Sequence, residues 1–98
     1  MLVVTYPDTE SPDLIPRYAL TFIHNKDDRG RRVTVAKVFA IDPKTDEARE
    51  IAKASSGCSL SDNFNKAKGR RLALTRALQD FPKTIRRDIW RGYFEQCN

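Results

Sequence analysis

A single histidine and two cysteines are all the chain offers in soft metal ligands and thiol chemistry. Cys58 and Cys97 lie far apart, share no CxxC spacing and have only His24 as a further soft ligand, so neither a zinc site nor a redox motif is assembled. Long apolar runs are also missing. Nothing approaches the run of about 18 apolar residues that a membrane-spanning helix needs, and "MLVVTYPDTE" has neither the basic start nor the long apolar stretch of a signal peptide. The expectation is a cytoplasmic protein with no membrane partner, its thiols reduced and packed rather than joined in a disulfide. Glycine is scarce where a phosphate loop would need it: "KGRR" lacks the second glycine of GxxxxGK[ST]. There is no internal repeat and no low-complexity segment.

Positive charge is abundant, and it is unevenly placed. The net charge is +5 over 98 residues. Residues 1–49 carry eight cations and eight acids, whereas residues 50–98 carry ten cations against five acids. Within 66–91 nine cations face only Asp80 and Asp88. An excess of that kind describes partners, not fold. A hydrophobic fraction of 40% beside 32% charged residues describes one globular domain spanning 1–98 rather than a disordered chain.

Residues 1–17, with Pro7, Pro12 and Pro16, read as an irregular N-terminal arm in which "LVVTY" could pair as a short edge strand. Strand signals follow over 18–24, where Tyr18, Leu20 and Phe22 alternate, and over 32–41, rich in β-branched residues. "NKDDRG" and "DPKTDE" are turns. Segment 47–54 has helical propensity, but it follows a hairpin-type turn and a two-stranded sheet is marginal alone, so it reads as the third strand. A helix is expected over 62–80, capped by Ser59 or Ser61, with Phe64, Ala67, Leu74, Ala77, Leu78 and Phe81 on one broad face. Arg70 and Arg71 flank that face, Arg71 pointing almost into it. Gly69 in mid-helix suggests that another backbone comes close. After Pro82 a second helix, 84–96 with Thr84 as its cap, presents Ile85, Ile89, Trp90, Tyr93 and Phe94 as an apolar face, with Arg87 and Arg91 along its edge. The predicted fold is α+β: an antiparallel three-stranded sheet covered on one face by two C-terminal helices, in the order β-β-β-α-α.

Catalytic chemistry finds no purchase in this sequence. His24 has no spaced partner, Cys58 has no second histidine to activate it, and Asp27 and Asp28 beside Arg29 and Gly30 read as a solvated turn rather than a Mg²⁺ site. The expectation is a non-enzymatic binding protein with no cofactor and no metal.

The segment "CSLSDNFNKAKGRRLALTRAL" resembles small, mostly uncharacterised phage and prophage proteins. They carry Cys-x-x-x-Asp-x-Phe-x-x-x-x-Gly-Arg-x-x-Ala-x-x-Arg-Ala-Leu. Cys58, Asp62, Phe64, Gly69, Arg70, Ala73, Arg76, Ala77 and Leu78 match, over about a fifth of the chain. That resemblance implies a phage-type origin and a protein that docks on host machinery, as anti-CRISPR inhibitors of defence nucleases do. A second resemblance, of fold, is to the double-stranded-RNA-binding domain, whose last helix follows three strands. Here Asp62 and Asn63 stand where that family has a lysine pair, and its first helix has no counterpart.

The candidate binding residues are Lys66, Lys68, Arg70, Arg71, Arg76, Lys83, Arg86, Arg87 and Arg91. Arginine outnumbers lysine among them, and its rigid fork suits phosphate or carboxylate. Trp90, Tyr93 and Phe94 lie nearby, more suited to the core than to stacking on bases. The implied partner is an acidic macromolecule, either nucleic acid or a host nucleoprotein complex. The alternative is an anti-defence inhibitor that blocks a host nuclease by direct protein contact.

Overall fold

The computed structural model describes residues 2–5, 17–57 and 65–96. Four strands, β1 (Leu2–Thr5), β2 (Arg17–Lys26), β3 (Arg32–Ile41) and β4 (Ala48–Gly57), form one antiparallel sheet in sequence order. Two helices, α1 (Lys66–Ala77) and α2 (Lys83–Gln96), follow. The α+β class and the helical pair agree with expectation, but the sheet has four strands, not three. "LVVT" is not part of an irregular arm: Leu2–Thr5 pairs with Thr21–Tyr18 along the free edge of β2. Four residues are too few to show a period, which is why the sequence left this strand undecided.

Period-2 alternation sends Tyr18, Leu20, Phe22 and His24 of β2 to one face, opposite Ala40, Val38, Ala36 and Thr34 of β3. Leu20, Phe22, Ala36 and Val38 are buried there, beside Val3 of β1. The β2–β3 connection is closed by Asp27, whose carboxylate accepts from the N–H groups of Arg29 and Arg31 and from the Arg31 guanidinium. Gly30 supplies the left-handed residue, at φ +80°. Both Asp27 oxygens are thus engaged by the protein itself. In the β3–β4 connection Asp42 accepts from the N–H groups of Lys44 and Thr45, an Asx turn.

The segment expected as strand over 47–54 is strand from Ala48, and β4 extends beyond it to Gly57. The register slips between Val38 and Phe39, where Ala52 and Glu50 are the successive partners, so Ile51 is the extra residue of a bulge. Below α1, β4 presents Ala52, Ala54 and Ser56, all small. They let the helix settle close enough for the Ser56 hydroxyl to donate to the Gly69 carbonyl at 2.9 Å. The contact at Gly69 is thus made by a side-chain hydroxyl to its carbonyl, not by another backbone.

The expected helix over 62–80 is shorter: α1 begins after Asn65, whose side chain accepts from the Lys68 N–H at 3.1 Å, and ends at Ala77. Ser59, Ser61 and Phe64, like Cys58 and Cys97, lie outside the described residues. The second helix starts at Lys83, with the Pro82 carbonyl accepting from the Arg86 N–H, so Thr84 is inside it and is not its cap. Proline serves well at that boundary because the missing N–H has no helical partner to lose.

α1 lies over β3 and β4, and α2 over β1. Ala73, Leu74, Ala77, Leu78, Ile89 and Tyr93 close the core against the sheet. The buried hydroxyls are all used: Thr5 donates to the Tyr18 carbonyl, Thr34 bonds His24 and Ser56 bonds Gly69. Among the described residues no helix is long and apolar enough to cross a membrane.

Candidate functional site

The nine predicted binding cations divide into two kinds. Arg70, Arg76 and Arg91 are committed to the fold. At 100° per residue Arg70 sits in the middle of the buried face of α1, between Ala73, Leu74 and Ala77. Its Nε donates to the hydroxyl of buried Tyr93 at 3.3 Å. Arg71, expected to point inward, is exposed; the two arginines exchange the places the sequence suggested. The shift follows from Ala73, which is fully buried and rotates the core-facing side of α1 towards Arg70 and away from Arg71. Arg76 lies on the flank of α1 facing β4, where Nη1 donates to the Ser55 carbonyl at 2.8 Å. Arg91 pairs with Asp88 at 3.0 Å, one turn back on α2.

Lys66, Lys68, Arg71, Lys83, Arg86 and Arg87 are the second kind. All six are exposed, and none forms an ion pair with a described residue. By helical spacing Lys68 on α1 and Lys83 and Arg87 on α2 lie away from the buried residues of their helices, with Arg71 on the flank of α1, so the exposed surface of the helical layer is basic along both helices.

The topology also gathers cations that the sequence count had balanced against acids. His24 lies close enough to Arg70 and Lys66 to feel both charges. The start of α1 therefore sits over the β2–β3 end of the sheet. Lys26, one pleat beyond His24 on the same face, stands directly opposite Arg32 in the register. Neither was among the candidate residues. The alternation Tyr18, Leu20, Phe22, His24, Lys26 was legible in the sequence, but not which end of the sheet α1 would cover.

His24 Nδ1 is 2.9 Å from the Thr34 hydroxyl, and burial, then Arg70 and Lys66, lower its pKa below the ordinary 6.5. Protonation thus favours the unfolded chain, which binds more protons than the folded one between the two pKa values. The contribution of His24 to stability is complete above the ordinary value and is lost as pH falls through the lowered one. Chemical denaturation between pH 7 and 5 is expected to show stability falling with acidification, and His24→Gln to flatten that part of the profile. A variant with the same slope as the parent would remove His24 as its source.

The aromatic trio separates as well. Tyr93 is core, edge-on to Phe22 at a centroid distance of 5.7 Å. Trp90 is half-buried, and Phe94, expected on the apolar face, is 49% exposed.

No protein-family model, curated protein or solved structure matches this chain. Its surface chemistry must therefore carry the functional reading, and the phage-type motif can be weighed only by where its residues sit. Cys58, Asp62 and Phe64 lie outside the described residues. The remaining six all serve the fold: Gly69 through its carbonyl, Arg70 through Tyr93, Arg76 through Ser55, and Ala73, Ala77 and Leu78 by burial. The described part of the motif thus encodes a helix seated on a sheet. The unpaired cations Lys66, Lys68 and Arg71 fall between its positions. Among the described residues no three of His, Cys, Asp and Glu gather as a metal would require.

Proposed function

We propose that this protein binds nucleic acid, without catalysing a reaction, through the exposed cations of its helical layer: Lys66, Lys68 and Arg71 on α1, Lys83, Arg86 and Arg87 on α2. The observation that carries the reading is that these six cations are exposed and unpaired among the described residues, while Asp88 is already taken by Arg91. Six uncompensated charges on two adjacent helices form a surface whose natural complement is a chain of phosphates. The resemblance of residues 58–78 to phage proteins supports a second reading. In it the protein is an anti-defence inhibitor in the cytosol of an infected or lysogenic bacterium, its basic face covering part of a nuclease or of the nucleic acid that the nuclease holds.

The test is a triple reversal, Lys68→Glu, Arg71→Glu and Arg87→Glu, which leaves Arg70 and Arg76 to their structural bonds. The variant is expected to keep its circular-dichroism spectrum and to lose binding to random-sequence duplex and single strands. For the parent protein, a handful of phosphate contacts corresponds to a log–log salt slope of roughly −3 to −5. A flat salt response, with capture of a host nucleoprotein abolished by the reversal, would favour the inhibitor. Nucleic-acid binding unchanged by all three reversals would refute the assignment of this face.

A further inference from the structure

Phe94 is the feature of α2 that the fold does not explain. Ile89, Gly92 and Tyr93 form the buried side of the helix. Tyr93 is only 2% exposed, whereas the next residue, Phe94, is 49% exposed. Its ring is nonetheless ordered against a neighbour: Trp90 and Phe94 stack with centroids 5.5 Å apart and planes inclined by 22°. Trp90 is itself held from behind, edge-on to Tyr93 at 5.6 Å and 87°. At 100° per residue Lys83, Arg87, Trp90 and Phe94 share a sector about 60° wide that runs from the flank, where Trp90 packs against the core, to the outer side of the helix, along about 16 Å of its length. A stacked aromatic pair braced by the core is thus aligned with two exposed cations that have no ion pair among the described residues.

We infer that Trp90 and Phe94 form a stacking platform for an unpaired base, with Lys83 and Arg87 holding the adjoining phosphates, so that the ligand is single-stranded nucleic acid. The inference rests on the nucleic-acid reading above and makes it narrower. An aromatic face on a convex helix cannot reach between the paired, stacked bases of a duplex, while every unpaired base exposes a π-face. Phosphate contacts alone would be satisfied by a duplex, and the cations need no aromatic neighbour for that purpose. The platform adds a contact that only a single strand can fill. It makes no hydrogen bond to a base edge, so binding should tolerate sequence.

Trp90 is the only tryptophan in the chain, and its fluorescence therefore reports the platform directly. The protein is titrated with an oligothymidylate and with a duplex of equal length at one salt concentration, as the parent and as Phe94→Ala and Phe94→Tyr. The single strand is expected to quench Trp90 and the duplex to leave its emission nearly unchanged. Phe94→Ala should weaken the single strand by roughly 5- to 150-fold, the worth of one stacked base, and the duplex by less than about twofold. Phe94→Tyr, which keeps the ring, should bind like the parent. Single-strand binding without any change in Trp90 emission, or equal losses on both ligands in Phe94→Ala, would overturn the platform while leaving the charge-based reading in place. Absence of binding to either ligand by the parent would overturn both.

Discussion

Leu78→Ala is expected to destabilise the protein by about 2–5 kcal/mol, the range for a buried leucine whose cavity cannot fully collapse. Leu78 is 1% exposed and caps the C-terminus of α1. Its N–H donates to the Leu74 carbonyl and its own carbonyl accepts from the Phe81 N–H, both at 3.0 Å. The side chain thus fills the core at the point where the backbone turns from one helix to the next. Those backbone bonds hold its Cα in place, which limits how far the neighbours can move in to fill the void. Leu72, six residues earlier, is 41% exposed and supplies the control. Leu72→Ala should cost no more than about 0.5 kcal/mol, as for a surface position. Urea unfolding with unchanged m-values would measure both. Equal shifts in the two midpoints would contradict the orientation of α1.

Gly92→Ala is expected to destabilise the protein as well, by up to about 2 kcal/mol, although alanine is the better helix former by about 1 kcal/mol. A Cβ at position 92 would lie 2.5 Å from the Thr5 Cγ2, 2.7 Å from its Cβ and 3.2 Å from its Cα. The last of these is backbone, so rotating the threonine side chain cannot relieve the overlap. β1 would have to move, and with it the bond from the Gln96 side chain to the Val4 carbonyl and that from Thr5 to Tyr18. Overpacking of this kind costs about 1–3 kcal/mol, and here it opposes the gain in propensity, so a net loss means the overlap prevails. Thr5→Gly removes two of the three colliding atoms and should recover part of the loss. A double-mutant cycle reads that coupling. If the two substitutions proved additive, α2 would not be seated on β1 at this point.

The two halves of the candidate site differed in how legible they were. That residues 66–91 present a basic surface followed from counting, since nine cations facing two acids cannot all find partners nearby. Which cations were free did not. Arg70 and Arg71 are adjacent and chemically identical, and a rotation of α1 by a fraction of a turn decides which one meets the Tyr93 hydroxyl. Arg76 looked like a free surface charge until β4 placed the Ser55 carbonyl beneath it. Phe94 read as a core residue because an apolar side chain at that spacing usually is one. Its exposure became visible only when Ile89 and Tyr93 were seen to fill the space available under α2.

Local signals by themselves determined the strands of the central hairpin, both turns, the break at Pro82 and the charge imbalance of the C-terminal half. Each depends on contacts within a few residues or on composition alone: alternation along β2, the Asp27 and Asp42 carboxylates capping their own turns, a proline without an N–H. Tertiary structure decided β1, too short to show a period, which is a strand because the free edge of β2 pairs with it. It also decided β4, where "EAREIAKASS" has the propensity of a helix. Pairing with β3, and the space that Ala52, Ala54 and Ser56 leave for α1, outweigh a few tenths of a kcal/mol per residue of helical preference. The binding face was decided last and by the same packing. Seating α1 and α2 on the sheet consumed Arg70 and Arg76 and turned Arg71, Arg87 and Phe94 outward, because a helix on a sheet can bury only one side.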